Sequence, residues 1–218
     1  MVVATYLYAD PACPWSWLAV RWLSSVTSAR GFRVDLRPCS LWMRDGERQA
    51  DGLPEFIRNV EVAASKQSLR VLRVFEALRD AGRKDAIWSL YLAWCERVFV
   101  PSPPKAPTSA VLEGHRGRQP RALVACAADD ARWDVAIEAS TRAASGSIPI
   151  LMDGQRTLIG GAILSAPVTP DRGLELWDAL EILTSEPSFV ALSPTPPSMP
   201  SFAVDNSRGG TAESVTLV

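Results

Sequence analysis

Apolar positions follow two different periods along this chain, and the switches between them mark its elements. Val2-Val3-Ala4-Thr5-Tyr6-Leu7-Tyr8 carries large apolar side chains without strict alternation, as a strand buried on both faces does. Over about 14–29, Leu18, Trp22 and Val26, with Trp15 and Leu23 beside them, recur at three- and four-residue steps. That spacing predicts a helix, stopped at Arg30-Gly31. Phe32-Arg33-Val34-Asp35-Leu36-Arg37 alternates cleanly and predicts a more exposed strand. Strand, helix and strand in this order imply a parallel pair with a right-handed crossover. Both strands then end on one side of the sheet, which places Cys39 on the same side as Cys13.

From residue 43 to about 141 the pattern is helical. Phe56, Val60 and Ala63-Ala64 form one stripe. Ser68 is expected to cap a second helix, with Leu72, Phe75 and Leu78 on one face and a stop at Gly82. Ile87, Tyr91, Trp94 and Val98 make a third stripe, which ends before Pro101. Residues 101–120 hold five prolines, three basic residues and His115 and follow neither period. They read as a solvated connector, with a substrate lid as the alternative. Helical pieces follow near 121–128 and 130–141, the second carrying Trp133 and Ile137. Ile148–Met152 and Arg156–Ile159 then flank Asp153-Gly154, a hairpin signal. Thr169-Pro170 starts a last helix with Leu174, Trp177 and Leu180 on its buried face. Residues 186–218 form a Pro/Ser-rich tail whose end, 204–218, has too few large apolar groups to pack and is expected to be disordered.

The candidate chemistry sits at the first strand-to-helix junction, Ala9-Asp10-Pro11-Ala12-Cys13-Pro14-Trp15-Ser16-Trp17. Asp10-Pro11 is turn chemistry, and Pro14 suits a first helical turn, where its missing N–H costs little. Cys13 therefore stands at a helix N-terminus, where free N–H groups and the dipole favour thiolate over thiol. Such positions bring a cysteine pKa from about 8.5 into roughly the 3.5–7.5 range. The bland alternative is a small buried hydrophobe, as most free cysteines are. Cys95 and Cys126 lie on helical stretches and are expected to be buried, so Cys13 is the thiol expected to react first. Cys39 reads as a packed loop residue, with a Cys13–Cys39 approach as the sharper alternative.

Composition narrows the classes. A chain of 218 residues, 47% hydrophobic and 22% charged, can bury a substantial core. A net charge of −1 and a pI near 5.9 give no polyanion-binding footprint, so nucleic acid is not the expected partner. No apolar run approaches the ~20 residues of a spanning helix, and no cleavable leader is evident, so the expected location is the cytoplasm and not a membrane. Four cysteines at irregular spacing, without Cys-x-x-Cys, and one histidine support neither a disulfide scaffold nor structural zinc; no metal site is expected.

Three stretches resemble a known family. Cys13-Pro14-Trp15-Ser16-Trp17 is similar to the active-site turn of the DsbA-like branch of the thioredoxin superfamily. The nearest likenesses are the actinobacterial mycothiol-dependent nitroreductase/oxidoreductase proteins, with Cys-Pro-Trp-Cys. Related to them are kappa-class glutathione transferases and 2-hydroxychromene-2-carboxylate isomerases, with Ser-Pro-aromatic-Ser. Ser147-Ile148-Pro149-Ile150-Leu151-Met152-Asp153-Gly154 resembles the cis-proline strand. Gly160-Gly161-Ala162-Ile163-Leu164-Ser165-Ala166-Pro167, with Gly173-Leu174-Glu175-Leu176-Trp177-Asp178, resembles the end of the actinobacterial proteins.

The resemblance implies an α/β thioredoxin-like fold, a mixed four-stranded sheet flanked by helices. Residues 1–42 and 142–185 would form that domain and 43–141 a helical insertion. It implies a cis Pro149 beside Cys13, with Ile148 offering its backbone and Pro14, Trp15 and Trp17 helping to bind substrate. With Ser16 in place of a second cysteine, Cys13 would act as a monothiol resolved by an external thiol, mycothiol or a glutathione-type equivalent, on a small-molecule or disulfide substrate. Ser16 would favour the Cys13 thiolate by hydrogen bonding. The alternatives are a kappa-type transferase or isomerase acting on a small aromatic substrate, with Trp15, Trp17 and Trp42 lining its pocket, and a catalytically retired binding protein. A homodimer is compatible with any of the three.

Overall fold

The structure, a computed structural model, describes residues 5–99, 126–144, 146–153 and 156–186. The proline-rich stretch 101–120, residues 121–125 of the helical piece expected near 121–128 and the tail beyond Glu186 lie outside the described residues.

The first strand, β1 (Thr5–Ala9), feeds α1 (Pro14–Arg30) and returns as β2 (Val34–Pro38). β1 and β2 pair in parallel, with Thr5 opposite Val34 and Ala9 opposite Pro38. Pro14 stands in the first turn of α1, and Gly31 closes it in the left-handed region at φ 70°. Next come a short helix α2 (Leu41–Asp45), a 3-10 turn (Gly46–Ala50), α3 (Glu55–Asp80) and α4 (Lys84–Phe99). After a second 3-10 turn (Ala131–Trp133), α5 (Asp134–Ala143) leads to the hairpin β3 (Ile150–Asp153) and β4 (Arg156–Gly160). The last described helix is α6 (Pro170–Ser185), capped by Thr169, whose Oγ1 accepts from the Arg172 N–H.

The sheet order is β2-β1-β3-β4, with β3 antiparallel to both neighbours. This mixed four-stranded sheet flanked by helices is a thioredoxin-like fold. Alternation along the strands sends Leu7, Ala9, Leu36 and Leu151 into a large core with α1, α3, α4 and α6. α6 closes that core tightly: Trp22 Nε1 donates to the Gly173 carbonyl at 2.8 Å. A Cβ at position 173 would lie 3.0 Å from Trp22 Cδ1, so glycine is what lets the two helices meet there.

Several sequence expectations are corrected. β1 is not buried on both faces, because Tyr6 and Tyr8 are only half-buried. Ser68 caps nothing: α3 runs unbroken through it, and its Oγ donates to the Ser65 carbonyl inside the helix. The stripe of Phe56 and Val60 faces solvent, with Phe56 80% exposed, while Leu72, Phe75 and Leu78 are buried as expected. The helix drawn over 130–141 begins as the 3-10 turn and extends to Ala143. β3 starts at Ile150 rather than Ile148, because Pro149 has no N–H to give to a ladder.

Candidate functional site

The parallel β1–β2 pair brings two loops to one end of the sheet, and the candidate site is built where they meet. Cys13 stands at the N-cap of α1 with extended backbone. Its N–H donates to the Asp10 carbonyl at 3.0 Å, and its own carbonyl accepts from the Trp17 N–H at 3.1 Å. The Cys39 N–H donates to the Ala9 carbonyl at 3.1 Å, continuing the sheet one step past its last paired residues. Cys13 and Cys39 belong to a small buried cluster with Ala144, Ile148 and Ile150, edged by Tyr8, Trp15, Leu41 and Met152. The Ile148–Pro149 bond is cis, and both residues are buried. The Gly161 N–H donates to the Ser147 carbonyl at 2.7 Å and to the Pro149 carbonyl at 2.9 Å, tying that turn to the end of β4.

Asp10 joins the two loops. Its Oδ1 accepts from the Ala12 N–H at 2.8 Å and its Oδ2 from the Leu41 N–H at 2.7 Å. Its backbone carbonyl also accepts from the Tyr91 hydroxyl at 2.9 Å. The carboxyl is fully buried, and burial outweighs these donors, raising its pKa from 3.8 to about 6. Ser68 stands beside it with its hydroxyl proton directed to the Ser65 carbonyl. Arg44 eases the charges here: its Nη1 donates to the Gly146 carbonyl at 2.9 Å, and its Nε to Asp45 at 2.8 Å.

The Cys13 thiolate expectation is corrected. Burial, to 5% exposure, pushes the Cys13 thiol up to about 11, and the Asp10 carboxylate adds to the rise. The hydroxyl and N–H of Ser16 and the N–H of Trp15 pull the other way without overcoming it. Ser16 is fully buried and its Oγ makes no hydrogen bond of standard geometry; it adjoins both the Cys13 sulfur and the Tyr91 hydroxyl. Cys39 is likewise pushed up by burial, to about 12.

Of the residues singled out in the sequence, the small cluster unites Cys13 and Ile148 and has Trp15 at its edge. Pro14 is half-buried beside it on the helix. Trp17 is not in this group. It is fully buried in the large core, stacked on Phe99 with ring centroids 5.5 Å apart, because it lies one helical turn past Cys13 on the core-facing side. Trp42 also packs against the large core, with Lys66 Nζ 4.5 Å from its ring centroid. Cys95 is buried as expected, its Sγ 3.5 Å from the Pro11 carbonyl, but Cys126 is exposed. Sequence reading missed Asp10 as a site residue. Its signal was the Asp-Pro turn itself, since an aspartate there bonds the N–H two residues on. Tyr91 was read only as a core position.

Two comparisons bear on this geometry. A family model described as Rv2466c-like, mycothiol-dependent nitroreductase Rv2466c, matches residues 12–193. The chain belongs to this family. It is also similar to a solved structure described as a putative protein disulfide isomerase from Nitrosomonas europaea, at 13% identity and a TM-score of 0.53. That match covers 84% of this chain and 98% of the other. At that identity the likeness speaks for the fold alone. No group of described residues has the composition of a metal site, and no described helix is long and apolar enough to cross a membrane.

Proposed function

We propose that the protein is a thiol-dependent oxidoreductase in which Cys13 carries a mixed disulfide with a low-molecular-weight thiol. Mycothiol is the thiol that the family description names. One observation carries the reading: Cys13 caps α1 within a buried cluster beside the Ile148–Pro149 turn, with a hydroxyl instead of a second thiol at Ser16. Attack of Cys13 on a disulfide R–S–S–R forms Cys13–S–S–R and releases R–SH, which keeps the proton Cys13 gave up. Ser16 has no sulfur with which to break that bond. An external thiol attacks the adduct, leaves as a disulfide and returns Cys13 to its thiol form. With a nitro compound as oxidant, Cys13–SH and R–SH together supply two electrons and two protons. The nitro group becomes nitroso plus water, and the same mixed disulfide forms. In this reading Pro14, Trp15, Ile148 and Pro149 form the binding surface, with Ile148 and Trp15 belonging to the cluster around Cys13. Residues 1–42 and 142–185 act as the thioredoxin-like unit, and 43–141 as a helical insertion that supports it through Ser68 and Tyr91.

The high pKa of Cys13 favours a second reading. A neutral Cys13 S–H donates to the thiolate of a bound cofactor, whose own sulfur then performs transfer or isomerisation on a small aromatic substrate. Intact mass after incubation with oxidised mycothiol separates the two. The first reading expects oxidation at Cys13, as a mycothiol adduct or a disulfide formed from that adduct, that disappears in Cys13→Ser and is reversed by excess thiol. A wild type that stays unmodified, yet binds reduced mycothiol by calorimetry, supports the second.

A further inference from the structure

Cys39 is a buried nucleophile that the reaction above leaves unused, and the fold holds it against the site. Its N–H is bonded to the Ala9 carbonyl, four residues before Cys13, and the next N–H, of Ser40, donates to Thr141 Oγ1 at 2.9 Å. The Asp10 carboxylate then grips both sides at once, the Ala12 N–H next to Cys13 and the Leu41 N–H two residues past Cys39. Two loops far apart in sequence are thus fastened backbone to backbone immediately beside their cysteines. The two side chains share one small buried cluster, and the charge of an ionised Cys13 falls on Cys39.

We propose that Cys39 is the resolving thiol of this protein, forming an internal Cys13–Cys39 disulfide in place of the bond that Ser16 cannot make. The proposal rests on the reading of Cys13 as the thiol that takes up the mixed disulfide. Cys39–SH attacks the Cys13 sulfur of Cys13–S–S–R; the Cys13–S–S–Cys39 bond forms, the bond to R breaks, and the Cys39 proton leaves with R–SH. Two further R–SH molecules reduce the internal disulfide, restoring both thiols and giving R–S–S–R. External thiol therefore remains the final reductant. The oxidised pair is neutral, which suits a site where burial opposes charge on either sulfur. Attack within one chain also outruns attack from solution when the groups are held in place.

The test exposes fully reduced protein to oxidised glutathione, denatures it in alkylating reagent and maps the peptides without reduction. The wild type is expected to give a linked Cys13–Cys39 peptide and an intact mass lower by about 2 Da, the two hydrogens lost on disulfide formation. In Cys39→Ser or Cys39→Ala, the glutathionyl adduct on Cys13 should accumulate at least about tenfold over wild type. Cys126→Ser should behave as wild type. If the wild type keeps the adduct on Cys13 while Cys39 is alkylated, or if Cys13 links to another cysteine, the Cys39 proposal falls and Cys13 stands as the redox thiol. If Cys13 forms neither adduct nor link in any of these proteins, both readings fall. Should the Cys39 variants not fold, the wild-type peptide map alone decides.

Discussion

The two buried clusters lie on opposite faces of the same sheet and are built by different rules. The large core takes Leu7, Leu36 and Leu151 from the strands and Leu18, Leu72, Phe75, Ile87 and Trp94 from helical stripes, so almost every member belongs to a periodic pattern. The small cluster takes Cys13 from a helix cap, Cys39 from a strand end, Ala144 from a helix end and Ile148 from the turn before β3. The loops that carry Cys13 and Cys39 are also joined by a backbone hydrogen bond and by one buried carboxylate. The large core supplies stability, and the small cluster positions two thiols. The contrast also separates the buried cysteines. Cys95 serves as a small core side chain against Pro11, whereas Cys13 sits where the chain turns.

The sharpest way to break this comparison is to cut a large side chain out of each cluster. Trp94→Ala should cost about 3–5 kcal/mol, measured by urea unfolding, because a large side chain leaves a cavity in a close-packed core. Ile150→Ala should cost less and should speed alkylation of Cys13 by opening its cover. Equal costs, with no change at Cys13, would mean that the small cluster is simply more core.

Asp10 gives the next largest effect, and its sign is fixed by the direction of its shift. Its folded-state pKa, about 6, lies above the ordinary 3.8, so between these values the folded protein holds a proton that the unfolded chain has released. Its contribution to stability is therefore full below about pH 4 and is lost as pH rises through about 6, by on the order of 3 kcal/mol. Asp10→Asn should remove that slope. It should also cost about 1–3 kcal/mol at low pH, because an amide cannot accept from both the Ala12 and Leu41 N–H groups. Unfolding midpoints from pH 3.5 to 7 for the two proteins check this, and parallel curves would remove Asp10 as the joint between the loops.

The smallest effects are in labelling order. Exposed Cys126 should alkylate first, Cys13 slowly and next, and Cys39 and Cys95 only on unfolding. The Cys13 rate should keep climbing above pH 8, toward its thiol pKa of about 11. A plateau below pH 7 would restore the thiolate that the helix N-terminus by itself suggests.

The sequence reached far into the large core and stopped short of the small cluster. Periodicity located α1 to within a residue at each end and identified the buried stripes of α4 and α6, because each buries a continuous stripe that leaves a mark every three or four positions. The same logic misplaced Phe56 and Val60, since an apolar stripe shows that a face can be buried without showing that another element reaches it. Local pattern also identified the Cys13-Pro14-Trp15-Ser16 turn at the head of a helix, because cap chemistry is local. It assigned Cys13 the charge state of an open helix end, and burial among residues from four separate segments reversed that. The strand-helix-strand order places Cys39 at the Cys13 end of the sheet, as found, but its packing into one buried cluster with Cys13, the burial of Asp10 and the retreat of Trp17 into the core were decided by tertiary structure. Each depends on which distant backbone arrives at the same place, and no spacing within a single segment carries that information.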